Sequence, residues 1–138
     1  MNRLATIDGE LAKRIMRAQE PQLARVANHV FEWIIADLPT EFASAFAPEA
    51  RPASIADTML SAVRDQQEQA DATYLDLLDS EAPEAEWRPH FTRARALEAL
   101  LLTLCRQNGD DVAESVYEAC MVRESREDLL QSLRSLLG

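Results

Sequence analysis

The sequence predicts an all-α fold, a single-domain helical bundle of about six to seven helices spanning residues 1–138. Three observations carry that reading. Ala, Leu, Glu, Arg and Gln dominate, and these residues lose little side-chain freedom in a helix. Only 3 glycines and 6 prolines are present, too little turn chemistry for a many-stranded protein. Apolar residues recur at intervals of three and four, the period of a helix with one buried face. A chain of 138 residues with 47% hydrophobic content buries about two-thirds of its unfolded surface, so it needs neither disulfides nor a metal to hold a core.

The elements follow in order. Thr6 or Asp8 caps a first helix that runs to about Ala18. Pro21 suits the first turn of a second helix, where its missing N–H costs nothing. Leu23, Val26, Ala27, Val30, Phe31, Ile34, Ile35 and Leu38 form its stripe, and Pro39 ends it. Thr40 starts a short amphipathic turn with Phe42 and Phe46, followed by a connector with Pro48 and Pro52. Ser54, with Asp57 three residues on, opens a long helix to about Asp79. Its apolar face is Ile55, Met59, Leu60, Val63, Ala70, Tyr74, Leu77 and Leu78. Residues 80–89 read as a loop broken by Pro83 and Pro89.

A helix over about 91–107 is apolar around more than half its circumference, so it is expected at the centre of the bundle. Asn108-Gly109 reads as a stop in which glycine takes the left-handed conformation. Asp110 or Asp111 then caps a helix to about Val122. Ser125 with Asp128 opens a last helix carrying Leu129, Leu130, Leu133, Leu136 and Leu137. Short connections make the last three helices antiparallel neighbours.

The residues exclude several chemistries. His29 and His90 are the only histidines, and no Glu-x-x-His pair exists for a di-metal carboxylate site. His29 falls away from its helix's apolar stripe. His90 lies near an expected helix start, where it caps that helix or packs on Trp87. Glu81/Glu84 and Glu124/Glu127 have the spacing of magnesium-binding pairs, but Pro83 breaks the first and the Ser125 cap splits the second. No glycine-rich phosphate loop is present, since Gly9, Gly109 and Gly138 are isolated. Cys105 and Cys120 read as buried free thiols of a reducing compartment. No catalytic residue, cofactor or metal is therefore expected. Charged residues from Arg3 to Arg14 interrupt any signal core, and the longest apolar stretch, 99–105, falls far short of the ~20 residues a membrane span needs. The chain is expected to be cytoplasmic, with no membrane and no nucleic-acid partner, because a net charge of -10 opposes phosphate contacts.

That charge is concentrated. Asp65, Glu68, Asp71, Asp76, Asp79, Glu81, Glu84 and Glu86 lie in one segment without Lys or Arg, which carries -8 of the -10. Such a run forms either a solvated face or an interface for a basic protein. In the second reading Leu75, within the acidic arc, and Trp87, after the acidic loop, are the apolar anchors. The expected function is a small, acidic, non-catalytic protein-binding module: an inhibitor, immunity protein or chaperone that covers a basic partner. One alternative is a helical enzyme or sensor, metal-dependent or small-molecule-binding, with a pocket built from Tyr74, Arg95 and Glu98. Another is a structural subunit or homodimer using the edge at Trp33.

Overall fold

A computed structural model describes residues 2–39 and 57–138. The turn with Phe42 and Phe46, the proline connector, the Ser54 cap and Ile55 lie outside the described residues. Within them the chain is an all-α bundle with no strand. A 3-10 turn, Arg3–Thr6, precedes α1 (Gly9–Arg17), α2 (Glu20–Ile34), α3 (Asp57–Asp79), α4 (Glu84–Leu104), α5 (Gly109–Cys120) and α6 (Arg126–Leu137).

Local chemistry sets most boundaries. The Leu11 N–H donates to Asp8 Oδ1 at 3.0 Å, so Asp8 rather than Thr6 caps α1. Pro21 occupies the first turn of α2, and the Gln22 side chain accepts from the Gln19 N–H. The last apolar residues before Pro39 tighten into a 3-10 turn, Ile35–Asp37, instead of extending α2.

Residues 80–89 are not a loop. Only a short turn joins α3 to α4, with Glu81 at φ 59°, and α4 begins at Glu84, five residues before Pro89. Pro83 is its N-cap residue, and Glu84 and Glu86 stand in the first turn, where carboxylates meet the positive end of the helix dipole. Pro89 sits inside the helix, and His90 is therefore no cap. The Trp87 and Phe91 rings pack on Tyr74 of α3, with centroids 5.6 and 5.1 Å away, and this contact holds the early turns helical through the proline.

The other end of α4 also differs from expectation. Gly109 does not end a helix: Asn108 is the N-cap of α5, its side chain accepting from the Asp111 N–H at 3.0 Å, while Asp111 accepts from the Gln107 N–H at 2.7 Å. A Cβ on Gly109 would lie 2.8 Å from the Ile15 carbonyl oxygen and 3.0 Å from Met16 Cα. The glycine is there because α1 passes against it. α4 ends at Leu104, and the buried Arg106 just beyond donates to the Thr103 carbonyl and to Glu20 of α2, both within 3.0 Å. Ser125 is the N-cap residue of α6 but makes no side-chain cap hydrogen bond.

The core gathers Leu4, Leu11, Ile15, Val26, Val30, Ile34, Leu97, Leu100, Val112, Val116, Leu129 and Leu133, all fully buried. The half of α4 from Ala94 to Leu104 runs through its centre, as its composition predicts. α5 lies along α4, whereas α6 divides its packing among α2, α1 and α5. α3 is placed differently: its extensive packing among the described residues is against α4 alone. Among the described residues, the acidic segment thus occupies a helix packed extensively on one neighbour.

Candidate functional site

The outer side of α3 carries the acids. Arg64 is its one basic residue, against Asp57, Asp65, Glu68, Asp71, Asp76 and Asp79. Val63 and Ala70 are buried against the bundle, with Tyr74 and Leu77 half-buried. Asp65, Glu68, Asp76, Asp79, Glu81 and Glu86 are exposed and form no ion pair among the described residues. Two members of the predicted set are neutralised. Asp71 receives Arg95 at 3.2 Å, and Glu84 pairs with Arg88 one turn along α4. Leu75 is 50% exposed, as its place among the acids implies. Leu78, expected on the packed face, is 38% exposed beside it. Trp87 is half-buried in the ring cluster with Tyr74 and Phe91, and Arg88 stacks on it at 4.9 Å. Leu75 and Leu78 are the large apolar residues most exposed on this flank, and Trp87 beside them is half-buried.

Beside this flank lies a charged network that linear sequence does not reveal. Glu118 of α5 is 1% exposed, and its two carboxylate oxygens accept from Arg3 at 2.5 Å and Arg95 at 2.9 Å. Arg3 also pairs with Glu114 at 2.8 Å and stacks on Tyr117 at 4.5 Å. Burial opposes the charge on Arg3, but these carboxylates outweigh it and raise its pKa. Arg95 thus joins α4 to α3 through Asp71 and to α5 through Glu118, while its Nε has no partner.

Glu98, one turn along α4, has neither a hydrogen bond nor an ion pair among the described residues. Its pKa is raised, by burial first and then by the negative charge of Glu118, with Arg95 and Arg3 only partly opposing. It lines a groove of ≈ 330 Å³ with Arg64, Gln67 and Glu68 of α3, Leu101 and Leu102 of α4, Cys105, and Asp111 of α5. Cys105 is half-buried rather than buried, and Arg64 Nη2 approaches its sulfur at 3.8 Å. Cys120 is buried, and its thiol is pushed up to about 11. Of the other pocket residues anticipated, Tyr74 is engaged by Trp87 and Phe91, and Arg95 by two carboxylates.

No protein-family model, curated protein or solved structure matches the chain.

A second, wider groove of ≈ 890 Å³ opens at the other end of α4, lined by Glu84, Arg88 and Phe91, by the end of α5 and by the turn into α6 with Arg123, Glu124 and Arg126. Trp33 closes the neighbouring edge: its Nε1 donates to the Ala119 carbonyl at 3.3 Å and Arg123 lies 5.0 Å over its ring. It is half-buried, a core-edge residue. His29 is half-buried. Glu81 lies in the turn and Glu124 precedes α6, so neither suspected acid pair shares one helix face. Among the described residues no group of three His, Cys, Asp or Glu side chains could hold a metal ion, and no helix is long and apolar enough to cross a membrane.

Proposed function

We propose that this protein is a non-catalytic binding module that covers a basic protein with the outer flank of α3 and the turn after it. The observation that carries the reading is the pairing of Leu75 and Leu78, both exposed, with unneutralised carboxylates on the same helix. An exposed leucine alone means little. Two of them beside unpaired acids of like charge on the same helix have the composition of a hot spot with an electrostatic rim. Like charges at three- and four-residue spacing cost α3 a few tenths of a kcal/mol each, and a cationic partner reverses the sign of that cost. Inhibitor, immunity protein and chaperone are the classes of module that act by such covering.

The test is capture of the partner from the native cell, followed by titration of the purified partner against wild type and a variant with Asp65, Asp76 and Asp79 changed to Asn and Glu68, Glu81 and Glu86 to Gln. The expected partner is basic. Neutralisation weakens binding by at least about a hundredfold, and the wild-type affinity falls with salt. An unchanged affinity and salt slope in the variant refutes the reading.

A further inference from the structure

Arg3 of the 3-10 turn, Glu118 of α5, Arg95 of α4 and Asp71 of α3 form one chain of ion pairs. Its first link is the best anchored. Glu114, Tyr117 and Glu118 lie on one face of α5, and Arg3 engages all three. The Arg3 backbone N–H donates to Glu114 Oε1 at 2.7 Å, its Nε to Glu114 Oε2 at 2.8 Å and its Nη2 to Glu118 Oε1 at 2.5 Å. Its guanidinium lies 4.5 Å over the Tyr117 ring. The last link is the longest. Arg95 Nη1 donates to Glu118 Oε2 at 2.9 Å, and its Nη2 reaches Asp71 Oδ1 at 3.2 Å. Arg95 is thus divided between two carboxylates and bidentate on neither, and its Nε has no partner. Among the described residues, the contact with Asp71 is the one ion pair that α3 makes with another element.

Acids outnumber cations in this chain, since Arg3 and Arg95 serve Asp71, Glu114 and Glu118. Arg3 satisfies one oxygen of Glu118, which leaves half of the Arg95 guanidinium for Asp71. With Arg3 withdrawn, Arg95 is the sole cation of Glu118, and the two carboxylates compete for its Nη2. Burial decides that competition. The Glu118 side chain is 2% exposed and the Asp71 side chain 38%. A half-satisfied charge on Glu118 has no water to turn to, whereas Asp71 returns to solvent at little cost. Glu118 then takes both Nη atoms as an end-on bidentate pair, and Asp71 is released.

We propose that Arg3 is a positioning residue for the acidic helix: by holding Oε1 of Glu118 it frees Arg95 to grip Asp71, and so keeps α3 seated on α4. The Arg95 guanidinium is the two-state element, shared between α5 and α3 in one state and wholly on Glu118 in the other. The 3-10 turn, where the Arg3 side chain is 52% exposed, thereby becomes a place from which the seating of α3 is controlled. The inference stands apart from the binding-module reading, because it concerns how α3 is held and not what meets its outer side.

The experiment measures native-state hydrogen exchange in the full chain. The readout is the rate of the α3 amides between Ala70 and Leu77, with α4 amides between Ala94 and Leu104 reporting opening of the whole molecule. Arg3→Ala speeds the α3 amides about threefold, and Asp71→Asn does the same. The double variant goes no further than Asp71→Asn alone, because Arg3 reaches α3 only through that pair. Arg3→Lys keeps a cation on Glu118 and stays near the wild-type rate. Glu118→Gln keeps an acceptor but drops the charge that competes with Asp71. Arg95 then turns towards Asp71, and the α3 amides exchange more slowly than in wild type, a change that general destabilisation cannot produce. Where Arg3→Ala is too unstable to measure, Glu118→Gln decides alone. Unchanged α3 rates in Arg3→Ala overturn the proposal, as does an α3 that exchanges no faster than α4 in that variant. Effects that multiply in the double variant, or α3 amides that fail to slow in Glu118→Gln, overturn it equally. If Arg3→Lys is as disruptive as Arg3→Ala, the turn acts through packing on Tyr117 and not through charge, and the proposal falls. No partner enters the measurement, so its failure leaves the binding-module reading untouched.

Discussion

Glu98 and Glu118 show how much a carboxylate's neighbours decide. Glu118 is the more deeply buried, yet Arg3 and Arg95 each donate to one of its oxygens. Glu98 has no such donor, and burial together with the charge of Glu118 raises its pKa. Because the folded pKa lies above the unfolded one, the native state holds this proton more tightly. The stability Glu98 contributes is complete at pH values below the ordinary carboxylate range and is lost as pH rises through the folded value. Thermal melts of wild type and Glu98→Gln from pH 4 to 8 are therefore expected to converge at the acidic end and to separate with rising pH, the Gln variant melting higher at neutral pH. Asp8 acts in the opposite sense. Burial alone would raise its pKa, but the Leu11 amide and the Arg134 guanidinium hold it below the usual range, and its contribution disappears as pH falls. Asp8 is common to both proteins, so it cancels in their difference. Parallel melting curves at every pH contradict the assignment. None of this was legible in the sequence, because residues 3, 71, 95 and 118 come from four separate elements. Only the presence of Arg95 and Glu98 in one helix was.

At the level of elements, sequence signals failed where a tertiary contact overrode a local rule. Two prolines made 80–89 read as loop, yet Pro83 stands at the cap of α4, where it does no harm, and Pro89 is tolerated within the helix because Trp87 and Phe91 pack on Tyr74. The same misreading placed Trp87 after a loop, whereas it lies within α4. Asn108-Gly109 fits the stop of one helix equally well as the start of the next, and the choice was made by α1, whose backbone leaves no space for a side chain at residue 109. This yields a mutational expectation with a definite sign. In a first turn with open space, Gly109→Ala gains helix propensity worth up to about 1 kcal/mol. Against Ile15 and Met16 it instead forces backbone apart, at a cost of about 1–3 kcal/mol. Chemical denaturation is expected to show net destabilisation of about 1–2 kcal/mol, with an unchanged m-value. A stabilised Gly109→Ala would mean that α1 does not sit against α5.

For the molecule as a whole, composition and period were enough for the helical class and for the central place of the 94–104 half of α4, because burial there demands apolar residues around most of the helix. The location of the acidic charge was also legible, since eight acids in one segment need no fold to be counted. What sequence could not supply was that, among the described residues, this helix packs extensively against α4 alone. That asymmetry has a dynamic consequence. A helix with a like-charged, exposed flank and few buried side chains among the described residues opens locally at a smaller free-energy cost than the largely buried helix it packs on. Native-state hydrogen exchange is expected to show α3 amides between Leu60 and Leu78 exchanging at least tenfold faster than α4 amides between Ala94 and Leu104. Moderate salt screens the carboxylates and narrows the gap. Equal protection of the two helices in the free protein means that α3 is bound into the cooperative core as firmly as α4. In that case its exposed leucines belong to a rigid face that is ordered before any partner arrives.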